Sequence, residues 1–269
     1  MRLSILDHGH RRRAKLFMGL TAKRSGVATP DIVKLLLYRP GVFARALLEL
    51  TAPAMRGPSY WTAAEREYLA MATAQVHECP FCVVTHAELV RIAGTGELDP
   101  DDPASARPEL RAVRAFLERV SRDPEHVDAA AVAGLPPHAV EEALRVNLVW
   151  NVVNRLANAF GFVLREGQLE TGTRSLHRFG YRFPGFLLAD GPRTDLAAAA
   201  ARLGDDVPEP LHSYVTTVRE ASYRVTDADV EALKAAGYRE DEIFEATVAA
   251  AVGSALRSFD AGRRAIAAD

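Results

Sequence analysis

Apolar side chains recur at three- and four-residue intervals through most of this 269-residue chain, and runs of alternating β-branched residues are missing, so the pattern predicts an all-α protein. Helices are expected over 9–23, 29–38, 41–52, 62–76, 79–93, 108–121, 137–160, 209–222, 227–236 and 240–265. Pro40 separates the second from the third, because proline restricts the residue before it and donates no hydrogen bond. Two stretches have loop composition, "GTGELDPDDPASARP" (94–108) and "RFPGFLLADGPRTD" (182–195). The second is the better boundary. It divides the chain into an N-terminal helical segment (1–60), a helical domain (61–181), a linker (182–207) and a C-terminal helical unit (208–269).

A weak internal repeat spans that boundary, relating the segment near 129–160 to the one near 231–262. Ala133-Gly134 matches Ala236-Gly237, and Glu142 matches Glu245. In each copy a short helix ends at a glycine, as expected just past a helix C-terminus, and a long apolar helix follows. Duplication of a helical unit is the simplest explanation. The second copy has no cysteine and no histidine, which makes it scaffold.

Composition narrows the functional classes. With 33 Lys and Arg against 35 Asp and Glu, the formal charge is -2, which provides no global attraction to nucleic acid or anionic lipid. No apolar stretch approaches the ~20 residues that span a bilayer. The opening "MRLSILDHGHRRRAKLFMGL" has too short an apolar run for a signal peptide, so a cytoplasmic location is expected. His8 and His10, beside the Arg11–Arg13 run, are expected to be solvated. Only two cysteines are present, and in a reducing compartment a CxxC pair is more often catalytic or metal-binding than structural.

Those cysteines lie in "ECPFCVVTH" (78–86). Pro80 suits the first turn of a helix that starts near Cys79 and stops at Gly94, so both thiols sit at a helix start. Unpaired backbone N–H groups and the helix dipole there favour thiolate, which should lower the cysteine pKa below its usual ~8.5. At ~100° per residue, Cys79, Cys82 and His86 share a sector of roughly 60° that continues through Val83, Leu89 and Val90. Side chains three apart on a helix have Cβ atoms ~5–6 Å apart, and a disulfide wants ~3.5–4.5 Å, a gap that a tightened first turn closes. His86, one turn beyond Cys82, is near enough to take its proton.

In the preceding helix, Thr62 and Glu65 have capping-box spacing. Glu67 has no such role and heads the stripe Ala70, Met71, Ala74. It is expected to be partly buried and in need of a partner, which the next, antiparallel helix offers in His86 and the thiols. The alternative is a solvated first-turn charge. Three chemistries stay open at this point: a redox dithiol, a zinc site of Cys79, Cys82 and His86 completed by water or Glu67, and two core cysteines beside a core histidine. No second ligand pair is visible, so neither metal nor cofactor is expected. Trp150, Asn151, Asn154 and Arg155 in "VWNVVNRLANAF" are assigned to the bundle core rather than to a pocket.

Glu67, Cys79 twelve positions later, and Cys-x-x-Cys-x-x-x-His through Cys82 and His86 together resemble the active-site signature of the alkylhydroperoxidase D family within the carboxymuconolactone decarboxylase superfamily. The similarity is clearest over 61–94 and weaker in the helical units at 129–160 and 227–265. The resemblance implies an all-helical, homo-oligomeric, thiol-dependent peroxidase or disulfide oxidoreductase. Cys82 would be the nucleophile, Cys79 the resolving cysteine, His86 the base and Glu67 its proton partner. It further implies a hydroperoxide substrate and an external dithiol reductant such as a lipoyl protein or a thioredoxin-like protein. Phe81 departs from the pattern, since the best-known members have histidine inside the CxxC. Two other functions remain: a decarboxylase-like lyase or hydrolase acting on a small carboxylated lactone without the cysteines, and a non-catalytic helical interaction protein.

Overall fold

A computed structural model of the chain describes residues 1–189, 191–204 and 207–268, and among these every regular element is helical. The N-terminal part holds α1 (Ile5–His8), α2 (Arg12–Ser25), α3 (Asp31–Leu37) and α4 (Ala44–Arg56). The centre holds α5 (Ala63–Val76), α6 (Pro80–Ala93), α7 (Pro108–Arg122), α8 (Pro137–Phe160) and α9 (Gln168–Phe179). The remainder holds α10 (Gly185–Leu188), α11 (Leu196–Ala200), α12 (Leu211–Ala221), α13 (Asp227–Ala235) and α14 (Glu240–Ala268).

From α5 to α8 the expected ends hold to within a residue or two, because each has explicit punctuation. The capping box forms as the spacing requires, Glu65 N–H donating to Thr62 Oγ1 at 3.2 Å and Thr62 N–H to Glu65 Oε2 at 2.8 Å. Gly161 ends α8 in the left-handed conformation (φ 67°). Elsewhere packing overrides local signals. The helix expected to stop near residue 52 runs through Pro53 to Arg56, since Leu47, Leu48, Thr51 and Met55 continue one buried stripe across the proline. Helix α9 is unanticipated, as its buried residues are Gln168 and Thr173 rather than a hydrophobic series. Helix α2 begins at Arg12, not 9, and His10 turns inward. That imidazole is buried and bonded at 2.8 Å to the Lys34 carbonyl, which corrects the expectation that it is solvated, whereas His8 is exposed.

Helix α5 lies at the centre, packed against α4, α6, α7 and α8, so its residues from Ala64 to Ala74 are buried all round. Helix α8 packs on α5 and on α14, which places the two long helices of the repeat side by side. One connected apolar core extends from Leu3 to Ala255 and includes Leu196 and Ala199, through which α11 packs on α14. These last residues belong to the stretch 182–207 expected as a linker, of which 190, 205 and 206 lie outside the described residues.

Candidate active site

The α5–α6 turn fixes the cysteines. His77 caps α5, Glu78 follows with φ of 49°, Glu78 N–H donates to the Gln75 carbonyl at 3.2 Å, and Cys79 N–H to the Ala74 carbonyl at 3.0 Å. This is the paired-bond closure of a Schellman motif, with glutamate in the left-handed position that glycine usually takes, a strain of about 1–2 kcal/mol. Cys79 is at once the last residue of that closure and the N-cap of α6, with Pro80 at the first helical position. Its sulfur lies 2.9 Å from that of Cys82, and both thiols are free and almost completely buried.

Burial changes the electrostatics expected from the helix start. Desolvation pushes the Cys82 thiol well above its ordinary value, and the hydrogen bond and charge of Cys79 push it further, since two sulfurs in contact resist carrying two negative charges. The expected lowering by the helix dipole is therefore overturned at Cys82.

Glu67 and His86 meet across the two helices, His86 Nδ1 lying 2.7 Å from Glu67 Oε2. Glu67, expected to be partly buried and in need of a partner, is wholly buried, with three partners. Arg56 Nη2 donates to Oε1 at 2.6 Å, and the Tyr181 hydroxyl lies 2.8 and 2.9 Å from the two oxygens. Burial alone would raise the carboxyl pKa. The hydrogen bond and charge of His86, then Arg56 and Tyr181, outweigh it and hold Glu67 below its ordinary value, so it is ionised. The same burial and the Glu67 charge push the Tyr181 phenol well up, leaving it a neutral donor.

Trp150, expected in the bundle core, is buried there and also walls the site. Its ring meets the His86 imidazole edge-on with centroids 4.0 Å apart, and its indole N–H donates to Met55 Sδ at 3.2 Å. Around it, Asn147 donates to Thr73 and Ser121, Asn151 to Ser121 and Asn147, and Asn158 to the His77 carbonyl at 2.7 Å. This polar belt ties α8 to the turn that holds Cys79. The structure thus brings Glu67 to His86 and Cys79 to Cys82, and adds Arg56, Tyr181 and Trp150, which the sequence did not single out for this site. A carboxylate inside an apolar helix demands a cation, and that demand is the signal that could have led to Arg56.

A cavity of about 360 Å³ opens over Cys79, lined also by Pro80, Phe81, Asn158, Phe162 and Tyr223. Phe81, the residue inside the CxxC, packs edge-on against Phe162 at 5.4 Å and gives this mouth one apolar wall, while Arg2 and Glu78 also line it. A larger cavity of about 440 Å³, bounded by Tyr38, Arg39, Arg239, Asp241 and Glu245, includes neither cysteine and is a gap between ion-paired surface groups. Among the described residues, no group of three or more His, Cys, Asp or Glu side chains is arranged to hold a metal ion. No helix among them is long and apolar enough to cross a membrane.

No family model and no curated protein matches the chain. Among solved structures it is similar to the alkylhydroperoxidase AhpD core of an uncharacterized peroxidase-related protein from Ralstonia eutropha JMP134. The likeness has a TM-score of 0.50 and 22% identity, covering 59% of this chain and 88% of that one. The chain therefore has an all-α fold of the alkylhydroperoxidase D type, as its sequence led us to expect.

Proposed function

We propose that the protein is a thiol-dependent peroxidase, or more broadly a disulfide oxidoreductase, that works through Cys79 and Cys82. The observation that carries this reading is the 2.9 Å separation of two buried free sulfurs at a helix start. Less than about 1 Å of approach brings them to the ~2.05 Å of a disulfide.

Because burial disfavours a standing Cys82 thiolate, the thiolate is made during reaction, its proton passing to His86. The ionised Glu67 at Nδ1 then stabilises the imidazolium, and Arg56 and Tyr181 hold Glu67 in place. Cys82 attacks one peroxide oxygen; the O–O bond breaks, the departing alkoxide takes the proton back from His86, and Cys82 becomes a sulfenic acid. Cys79 attacks that sulfur, expelling water and closing the disulfide. An external dithiol restores both thiols by exchange, itself becoming a disulfide. The cavity over Cys79 is where such a reductant, a lipoyl or thioredoxin-like protein, would reach a sulfur. A homo-oligomer in the cytoplasm is part of the same proposal.

Trapping with a sulfenic-acid reagent tests the roles. Cys82→Ser is expected to abolish peroxide consumption. Cys79→Ser should react once and accumulate the trapped adduct. Adduct in the Cys82 variant instead would reverse the two roles, and turnover of a carboxylated lactone by the double variant would favour the lyase.

A further inference from the structure

The net charge of -2 conceals a segregation of charge along the chain. Residues 8–30 and 171–189 contain no Asp or Glu, and between them they carry nine Lys and Arg. The same two stretches hold the four most exposed large apolar side chains among the described residues. These are Leu16 and Leu20 on α2, Phe179 at the end of α9 and Phe186 on α10, each between 57 and 74% exposed.

The fold brings the two stretches together. Ala14 of α2 packs with Leu37 and Leu187 in a small apolar cluster apart from the main core, with Phe17, Met18, Phe183 and Leu188 at its edges. Beyond the other end of α2, Gln168 Nε2, at the start of α9, donates to the Ala28 carbonyl at 3.0 Å. Ala14 is nevertheless the only buried residue of the 14 in α2. At ~100° per residue, Arg12, Leu16, Gly19, Leu20 and Lys23 fall within a sector of about 100° on the side opposite Ala14 and Met18, and all five are exposed. Lys15 and Arg24 flank that sector, so the leucines form an outward line with cations on both sides. Arg12, Lys15, Lys23 and Arg24 make no ion pair with a described residue, and neither do the exposed Arg174, Arg178 and Arg182 of the second stretch.

A helix of this kind suits the headgroup boundary of an anionic bilayer. Leucines enter the acyl region there, while Lys and Arg stems lie along it and carry their charges to the phosphates. Nucleic acid would engage the cations and leave the leucines in water. Neither cavity described above is lined by α2 or by residues 171–189, so the face offers no such cleft to a peptide. We propose that α2, with the 171–189 stretch beside it, is a docking surface for anionic phospholipid bilayers, on which the protein lies without crossing. The inference is independent of the thiol chemistry.

Co-sedimentation of the full chain with phospholipid vesicles tests this without reference to any activity. Vesicles of phosphatidylcholine and phosphatidylglycerol in equal parts should bind the protein at least tenfold more tightly than phosphatidylcholine alone, and added salt should weaken that binding. Two double variants at exposed positions, Leu16→Ser with Leu20→Ser and Lys15→Gln with Lys23→Gln, should each weaken it at least tenfold. Their far-ultraviolet spectra and thermal melting should match the parent's. Absence of binding to the anionic vesicles would overturn the proposal. Equal binding by the parent and both variants would do the same. So would a parent that ignores vesicles and self-associates on gel filtration while the leucine variant stays monomeric, which would assign the face to a second copy of the chain.

Discussion

Helices α8 and α14 run side by side at the centre of the molecule, and in the register that pairs Glu142 with Glu245 they can be read against each other. Asn147, Trp150, Asn151 and Asn158 of α8 correspond to Ala250, Gly253, Ser254 and Ala261 of α14. The first set carries the amide belt and the indole that brace His86 and the Cys79 turn. The second set is small, with Ser254 Oγ donating to the Arg219 carbonyl at 3.3 Å and the rest serving packing: a Cβ on Gly253 would meet the Ala200 Cβ at 3.6 Å, which is ordinary contact. A carboxylate of α5 and one of α14 differ in the same way. Glu67 is wholly buried with three partners, whereas Glu245 bridges Arg39 and Arg202 at the half-exposed surface. A helical frame of this kind is indifferent to chemistry, and what distinguishes its two halves is where buried amides have been accepted, whether bonded as in Asn147, Asn151 and Asn158 or without a hydrogen-bond partner as in Asn154.

The largest test of that contrast is Trp150→Ala. It removes the wall of the site and the Met55 contact, and should cost about 3–5 kcal/mol in denaturant unfolding, as large-to-small core changes do. A loss below about 1 kcal/mol would mean that the indole is not packed as described.

Next in size is Glu67→Gln, which strands Arg56 and His86 beside a neutral amide and should cost about 3 kcal/mol. Glu245→Gln, at a screened surface pair, should stay under about 1 kcal/mol. Equal losses in the two variants would erase the distinction between the halves.

The acid limb of stability sharpens the point. Glu67 is held below its ordinary value of 4.5, so the folded state binds fewer protons there than the unfolded chain. Its contribution is complete above that value and is lost as pH falls through the lower, folded one. Stability measured below pH 4.5 should therefore fall less steeply in Glu67→Gln than in the parent.

The smallest effect is Gly253→Ala, which should stabilise by about 0.5–1 kcal/mol, because the site has room for a methyl and mid-helix glycine is costly. Destabilisation would show that α14 packs more tightly than its contacts indicate.

How much of this the sequence discloses follows from the range of each interaction. The helix pair α5–α6, its capping box, the proline and glycine stops and the CxxCxxxH face are local, and all were legible. Arg56 was not, because Pro53 reads as a helix end, and only a buried stripe set by tertiary packing carries α4 past it. Tyr181 was not either, because it follows a helix whose buried residues are polar, and it takes a left-handed conformation (φ 65°) that no local signal predicts. The rise in Cys82 proton affinity belongs to the same class. The helix dipole is readable along the chain, but the burial that defeats it comes from the assembled bundle.

The central claim is that Cys79 and Cys82 are a redox couple rather than two core residues, and intact-protein mass spectrometry after one equivalent of hydroperoxide tests it most directly. The account predicts loss of two hydrogens, mapped by peptide digestion to a Cys79–Cys82 disulfide and reversed by a small dithiol. An unchanged mass, with both thiols still free and the peroxide unconsumed, would contradict it.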